Sequence, residues 1–140
     1  MPLKPEERAR LLDEPLIAVL SVASGEPGRG PIGVPVWYLA EESGDLVLVT
    51  GRSSRKARLL EAAGRATLTV QREEPTYRWA SAEGPVEFVP ADAALVARIA
   101  ARYLPPGAAE SYAAGTDPAA TVGIRLRPER WAGADLGSVS

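Results

Sequence analysis

The segment Thr50-Gly-Arg-Ser-Ser-Arg-Lys-Ala-Arg58 gathers residue types suited to holding an anion. Arg52, Arg55, Lys56 and Arg58 place four cations within seven residues, and Ser53 and Ser54 add hydroxyl donors between them. The local pattern predicts a strand that ends at Thr50, a turn at Gly51, and a helix opened by Ser53 or Ser54. That helix runs through Ala63 and is stopped by Gly64. A helix N-terminus offers unpaired N–H groups and a partial positive charge, which suits phosphate. Cations in a first turn oppose the helix dipole, so helix stability does not account for them, whereas a bound anion would. The plainer reading is a solvated basic face capped by serine, and the residues alone leave both open. The GxxxxGK[ST] spacing of a P-loop is missing.

A second stretch, Pro31-Ile-Gly-Val-Pro-Val-Trp-Tyr38, puts a proline inside a strand. Proline has no ladder donor, so this strand is expected at an edge, bulged, or turned toward something other than a neighbouring strand. Val36 and Trp37 then present backbone groups and an aromatic surface to a planar ring, unless Trp37 and Tyr38 are simply core aromatics. In a third stretch, Glu74 to Gly84, the run Tyr77-Arg-Trp79 places alternate side chains on opposite faces of a strand. Trp79 faces a pocket or an interface on the functional reading and packs in the ordinary way on the plain one. The carboxylates Glu73, Glu74, Glu83, Glu87 and Asp92 form no metal or acid–base pattern, and no GxGxxG is present.

The composition narrows the chemistry further. The chain has neither cysteine nor histidine. Disulfides, thiolate nucleophiles, imidazole bases and almost every transition-metal site are therefore excluded. Catalysis must rest on a cofactor, or on carboxylate, Lys, Arg, Ser, Thr and Tyr side chains. A net charge of −2 gives no global basic field to attract nucleic acid. No apolar run approaches the roughly 18–20 residues of a membrane span, and residues 1–14 do not have the pattern of a signal peptide. A cytoplasmic protein is expected.

The elements that must position these residues follow from hydrophobic period and punctuation. The 140 residues suit one domain, large enough to bury about two-thirds of its unfolded surface. A short helix is expected over Pro5–Asp13, with Glu6 and Glu7 in its first turn. Leu16–Val22 has the continuous apolar character of a strand buried on both faces. Ile32–Leu39 and Leu46–Thr50 complete a meander around the turns 24–30 and 41–45. Ala66–Gln71 alternates as a strand. Tyr77–Val89 forms one long strand, broken or bulged near Gly84-Pro85. Pro90–Tyr103 is an amphipathic helix with Leu95, Ile99 and Tyr103 at helical spacing. Residues 108–118 carry no clear signal, Thr121–Leu126 is a last strand, and Arg127–Ser140 is a polar tail around Trp131. About six strands in hairpin-like runs with three helices, without strict alternation, predict a mainly β protein: a small antiparallel barrel with flanking helices.

With these stretches in place, the chain resembles the pyridoxamine 5′-phosphate oxidase-like superfamily of FMN-binding split barrels, in its short flavin- and deazaflavin-dependent branch. The resemblance is carried by Pro35–Tyr38, Thr50–Leu60, Ala66–Val70, Tyr77–Gly84 and Arg127-Pro-Glu-Arg-Trp131, in that order, over about residues 14–131. It implies a split-barrel homodimer with cofactor sites at the subunit interface. Ser54 and Lys56, with Arg52 or Arg55, would hold the cofactor phosphate, and Val36, Trp37 and Thr50 would border the isoalloxazine. Trp79 and Trp131 would belong to the site, contributed by the same chain or by its partner. The implied cofactor is FMN, with the deazaflavin coenzyme F-420 as the alternative. Arg55 and Arg58 would suit the anionic tail of F-420. The implied activity is hydride transfer to or from a small conjugated substrate. The alternative is a non-catalytic protein that stores a flavin or tetrapyrrole. Pyridoxine-phosphate oxidation itself calls for a histidine that this chain lacks.

Overall fold

A computed structural model describes residues 2–137. Helix α1 (Pro5–Asp13) has Pro5 in its first turn, where the missing N–H costs nothing. The Glu7 carboxylate accepts from the Lys4 amide at 2.9 Å, which completes its start. It buries Leu11 and Leu12. Strands β1 (Ala18–Val22) and β2 (Ile32–Val36) form a hairpin. A two-residue strand β3 (Leu39–Ala40) pairs with β4 (Leu46–Gly51) around the 41–45 turn. Helix α2 (Arg55–Ala63) leads to β5 (Arg65–Arg72) and the 13-residue β6 (Arg78–Pro90). Helices α3 (Ala93–Ala100) and α4 (Ala108–Ala114), a single 3-10 turn at Pro118–Ala120, β7 (Thr121–Leu126) and β8 (Arg130–Asp135) follow.

The sheet runs β2-β1-β5-β6-β7-β4-β3, with β8 added on β6, and every pairing is antiparallel. It curls into the half-barrel of a split-barrel fold, with four flanking helices. The core consists of Leu20, Leu68, Val70, Leu48, Ile124 and Leu126 from the inner strand faces, closed by Leu11 of α1 and Leu60 of α2.

Several expectations are corrected. The described residues form eight strands and not six, because β3 separates from β2 and the region around Trp131 pairs with β6. The expected tail is therefore a strand over Arg130–Asp135; its last residues, 138–140, lie outside the described residues. Residues 108–118 hold helix α4. The helix expected over Pro90–Tyr103 begins only at Ala93, because Asp92 caps it through the Leu95 amide at 2.8 Å. Strand β1 is buried on one face only, since Val19 remains 42% exposed opposite Leu20. Nor is there one meander: β1–β2 and β3–β4 lie at opposite ends of the strand order.

Strand β6 is continuous through Gly84-Pro85 and changes partners there. Its first part pairs with β5 and β8, and Val86–Pro90 pairs with β7. The chain leaving β7 crosses at this point, where the Arg127 amide donates to Pro85 O at 3.0 Å and the Glu129 amide to Glu83 O at 2.8 Å. A Cβ on Gly84 would collide with the Arg127 carbonyl. Gly84→Ala is therefore expected to destabilise the protein at or above the upper end of the about 1–3 kcal/mol typical of overpacking. Gly30→Ala, with nothing near its Cβ, should change stability by less than about 0.5 kcal/mol. Urea unfolding of both variants measures the contrast.

Candidate functional site

The turn that begins α2 is fixed by hydroxyls. Ser54, not Ser53, is the N-cap: its Oγ accepts from the Ala57 amide at 3.1 Å, and the same Oγ lies 3.1 Å from Thr50 Oγ1. Gly64, at φ 70°, closes the helix in the left-handed region that glycine adopts freely. No acidic residue occupies the first turn. The amides of Arg55 and Lys56 find no acceptor among the described residues.

The four cations meet different fates. The Arg52 guanidinium donates to Ala119 O at 3.2 Å and Thr121 O at 3.4 Å, stapling the turn to the start of β7. Arg58 folds back onto Ser53 O at 2.8 Å. Arg55 is exposed and Lys56 half-buried, and neither has an ion pair or side-chain hydrogen bond among the described residues. Desolvation lowers the Lys56 pKa. An ammonium group held in that environment without a counter-charge would be stabilised by a nearby anion.

Lys56 lines a cleft of about 290 Å³ together with Val36 and Trp37. The structure thus brings together three residues that the sequence had singled out in two separate stretches. Ile17 and Pro35 continue the wall beside them, and Val49 of β4 sits next to Thr50. Val96, Ile99 and Ala100 of α3 and Tyr112 of α4 form the remaining lining. Sequence reasoning missed these: Ile99 was assigned to an ordinary helix stripe, and Tyr112 lay in the Ala-rich segment without a clear period. The Trp37 ring stacks on Tyr103, centroids 4.9 Å apart at 10°, and meets Tyr112 at 5.7 Å and 45°. Pro35 lies in edge strand β2, as its missing donor requires.

Within one chain, Trp79 and Trp131 border other surfaces. Trp79 stands on β6 opposite Gln71 and Ala134. Trp131 lies beneath the Arg8 guanidinium, 4.0 Å from its ring centre, and lines a separate cleft of about 510 Å³ against α1 and the 41–45 turn. No cluster of acidic side chains able to hold a metal ion occurs among the described residues. Among them, too, no helix is long and apolar enough to cross a membrane.

A half-barrel whose edge strand and helix start converge on one cleft matches a known sequence family. The profile described as pyridoxamine 5′-phosphate oxidase covers residues 3–134. The chain belongs to this family. Solved structures resemble it over nearly its whole length. A conserved hypothetical protein of Mycobacterium tuberculosis is 22% identical, with a TM-score of 0.75, over 95% of this chain and 85% of that one. A protein described as an F-420 reductase is 25% identical, with a TM-score of 0.69, over 87% of this chain and 93% of that one. An FAD-binding protein of Mesorhizobium loti is 16% identical, with a TM-score of 0.70, over 96% of both chains. No curated protein sequence matches this member of the pyridoxamine 5′-phosphate oxidase family.

The lowered pKa of Lys56 gives a pH signature. A dianion binds the ammonium form, so affinity for inorganic phosphate should fall as pH rises through the Lys56 pKa. That fall begins below the about 10.4 of an ordinary lysine. Calorimetric titration across the alkaline range reads it, and Lys56→Met should weaken the binding and remove this pH dependence.

Proposed function

We propose that the protein is an oxidoreductase that holds FMN at the Trp37–Lys56 cleft and transfers hydride to or from a small conjugated substrate. The observation that carries this reading is the convergence of Lys56, unpaired and desolvated, with Val36 and Trp37 on one cleft. An apolar and aromatic wall with one cation at its end suits a planar heterocycle bearing a phosphate. The donors for that phosphate are the Lys56 ammonium, the free amides of the first α2 turn, and the one hydroxyl proton that the Thr50–Ser54 pair leaves unused. Arg52 is already committed to carbonyls, so its part is to hold the turn in place. A bound flavin would supply the redox chemistry, and the chain's own residues bind and orient it.

F-420 is a second reading with its own support. Arg55 is exposed and has no partner among the described residues beside the same helix start, where an anionic tail extending from the phosphate would meet it. The 25% identity with an F-420 reductase points the same way. Of the two arginines that the sequence paired for this role, Arg58 is occupied by Ser53 O and Arg55 is available.

The site is best completed by a second copy of the chain. At about 290 Å³, the cleft is at the lower limit of pockets that enclose a ligand. Two of its lining residues, Ile17 and Pro35, adjoin the outer face of the sheet. There Pro35, Val19, Thr69, Ser81 and Ala132 register with one another across five strands without a charge. Ile17 and Val19 are 51% and 42% exposed, and Trp79 lies on the same face of β6 as Ser81. A two-fold dimer through this face would cover those residues and bring Trp79 near the partner's cleft.

Four measurements test these readings. Lys56→Ala should weaken FMN by roughly 10- to 150-fold, the contribution of a charge-assisted hydrogen bond, and leave riboflavin nearly unchanged. Equal loss of both ligands would remove Lys56 from the phosphate. Arg55→Ala should weaken F-420 selectively and most strongly at low salt; unchanged F-420 affinity favours FMN. Light scattering should give about twice the 14.8 kDa chain mass, and Val19→Lys should shift it toward monomer. A monomeric parent that binds one flavin per chain would overturn the shared site. Binding without substrate-dependent reoxidation of the reduced protein would make it a flavin store and not an enzyme.

A further inference from the structure

We infer that the Tyr103 hydroxyl is the positioning group that sets the mouth of the cleft between Ile17 and Trp37, and so orients the surface on which a flavin ring rests. This inference depends on the proposed cofactor reading for its ligand, and on geometry alone for the clamp. Trp37 and Tyr38 fall in the gap between β2 and β3, where the backbone has left one ladder and not joined the next. Their polar groups need partners from elsewhere. The Tyr38 amide donates to Tyr103 Oη at 3.1 Å, and the one Tyr103 hydroxyl proton has two carbonyl acceptors within reach, Leu16 O at 3.0 Å and Tyr38 O at 3.2 Å. Leu16 immediately precedes Ile17 and Tyr38 immediately follows Trp37, so one oxygen atom ties together the backbones behind two walls of the cleft. The Tyr103 ring lies flat against Trp37 and fixes the indole plane as well.

Tyr103 is itself held firmly. Its amide donates to Ala100 O at 3.0 Å at the end of α3. Its neighbour Arg102 donates to Leu12 O at 3.2 Å and Glu14 O at 2.8 Å, with its guanidinium 4.8 Å from the Tyr38 ring centre. The Tyr38 hydroxyl in turn donates to Leu12 O at 2.6 Å. Residues 102–103 therefore lock the end of α3 to the segment joining α1 to β1 and to the β2–β3 gap. A core tyrosine that merely filled space would need one partner for its hydroxyl. This one meets both sides of the opening.

Tyr103→Phe keeps the ring and its stack and removes only the hydroxyl. In the ligand-free parent, the Tyr38 amide should be protected from hydrogen exchange; exchange as fast as in an open loop would overturn the clamp without any variant. In Tyr103→Phe that protection should fall about three- to ten-fold, the scale of one lost hydrogen bond. FMN and riboflavin should weaken by the same factor, since the ring end is disturbed and the phosphate end is not. Trp37→Leu should be non-additive with Tyr103→Phe in riboflavin affinity, because one residue acts through the other. Additive losses, or an unchanged riboflavin affinity, would reduce Tyr103 to ordinary packing. A parent that takes neither flavin overturns the cofactor reading, and Tyr38 exchange still decides the clamp.

Discussion

At Gly84, strand β6 passes directly under the chain that leaves β7, and the closeness of that crossing governs how the sheet is divided. A side chain there would occupy the place of the Arg127 carbonyl. With the crossing in place, β6 carries two sets of partners end to end: β5 and β8 on its first part, β7 on its last. That change of partners lets one sheet curl into a half-barrel and not extend flat. It also brings the two ends of the strand order, β2 and β3, back toward each other around Trp37 and Tyr38. A proline follows Gly84, and its missing donor is tolerated at the point where pairing passes from one neighbour to another.

The cleft is a consequence of that closure. The ladder is interrupted between β2 and β3, and side chains from α3 complete what the sheet leaves open. The Tyr38 amide at the break donates to the Tyr103 hydroxyl, and the Trp37 ring stacks on that tyrosine while remaining partly exposed. Opposite it, α2 begins with the Thr50–Ser54 hydroxyl pair and an uncompensated Lys56. The other half-buried cations all have partners among the described residues, carboxylates for three of them and backbone carbonyls or aromatic rings for Arg102 and Arg8. Arg78 bridges Glu7 and Asp135, Arg72 meets Glu14, and Arg125 holds Glu41 and Glu87. Lys56 departs from this rule beside an apolar surface.

The legible part of the sequence was that governed by local chemistry. Ser54 and Gly64 bound α2 because an N-cap and a left-handed C-cap are set by single residues, and Pro35 marked an edge strand through its missing donor. The identities of the anion-binding candidates were visible too, but not their availability. Arg52 is taken up by carbonyls that no spacing rule reveals, because Ala119 and Thr121 lie far along the chain, and Arg58 by the Ser53 carbonyl behind it. Strand β8 was hidden by its Ala-Gly composition: Ala132, Gly133 and Ala134 pair with β6 because small residues fit against it, and a Cβ on Gly133 would press on Trp79 O. Helix α4 was hidden for the same reason, since alanine carries no periodic signal, and with it went Tyr112. The right order of the longer elements thus coexisted with a wrong meander, because strand neighbours are decided by the crossing at Gly84 and not by proximity in sequence.

Lys56 brings these levels together. An ammonium group in a partly desolvated position raises the free energy of the folded chain, and its lowered pKa is the measure of that cost. The first turn of α2 adds to it, because its dipole and its unpaired amides also favour negative charge over positive. A sequence selected for stability alone would place an aspartate or glutamate here, as α1 does with Glu6 and Glu7 in its own first turn. The two helices are both nine residues long and both begin after an extended N-cap. They differ in charge at the one place where α2 opens beside a cleft and the aromatic wall faces it. Among the described residues no carboxylate offsets the charge at the start of α2, and the bound phosphate proposed above would supply that counter-charge.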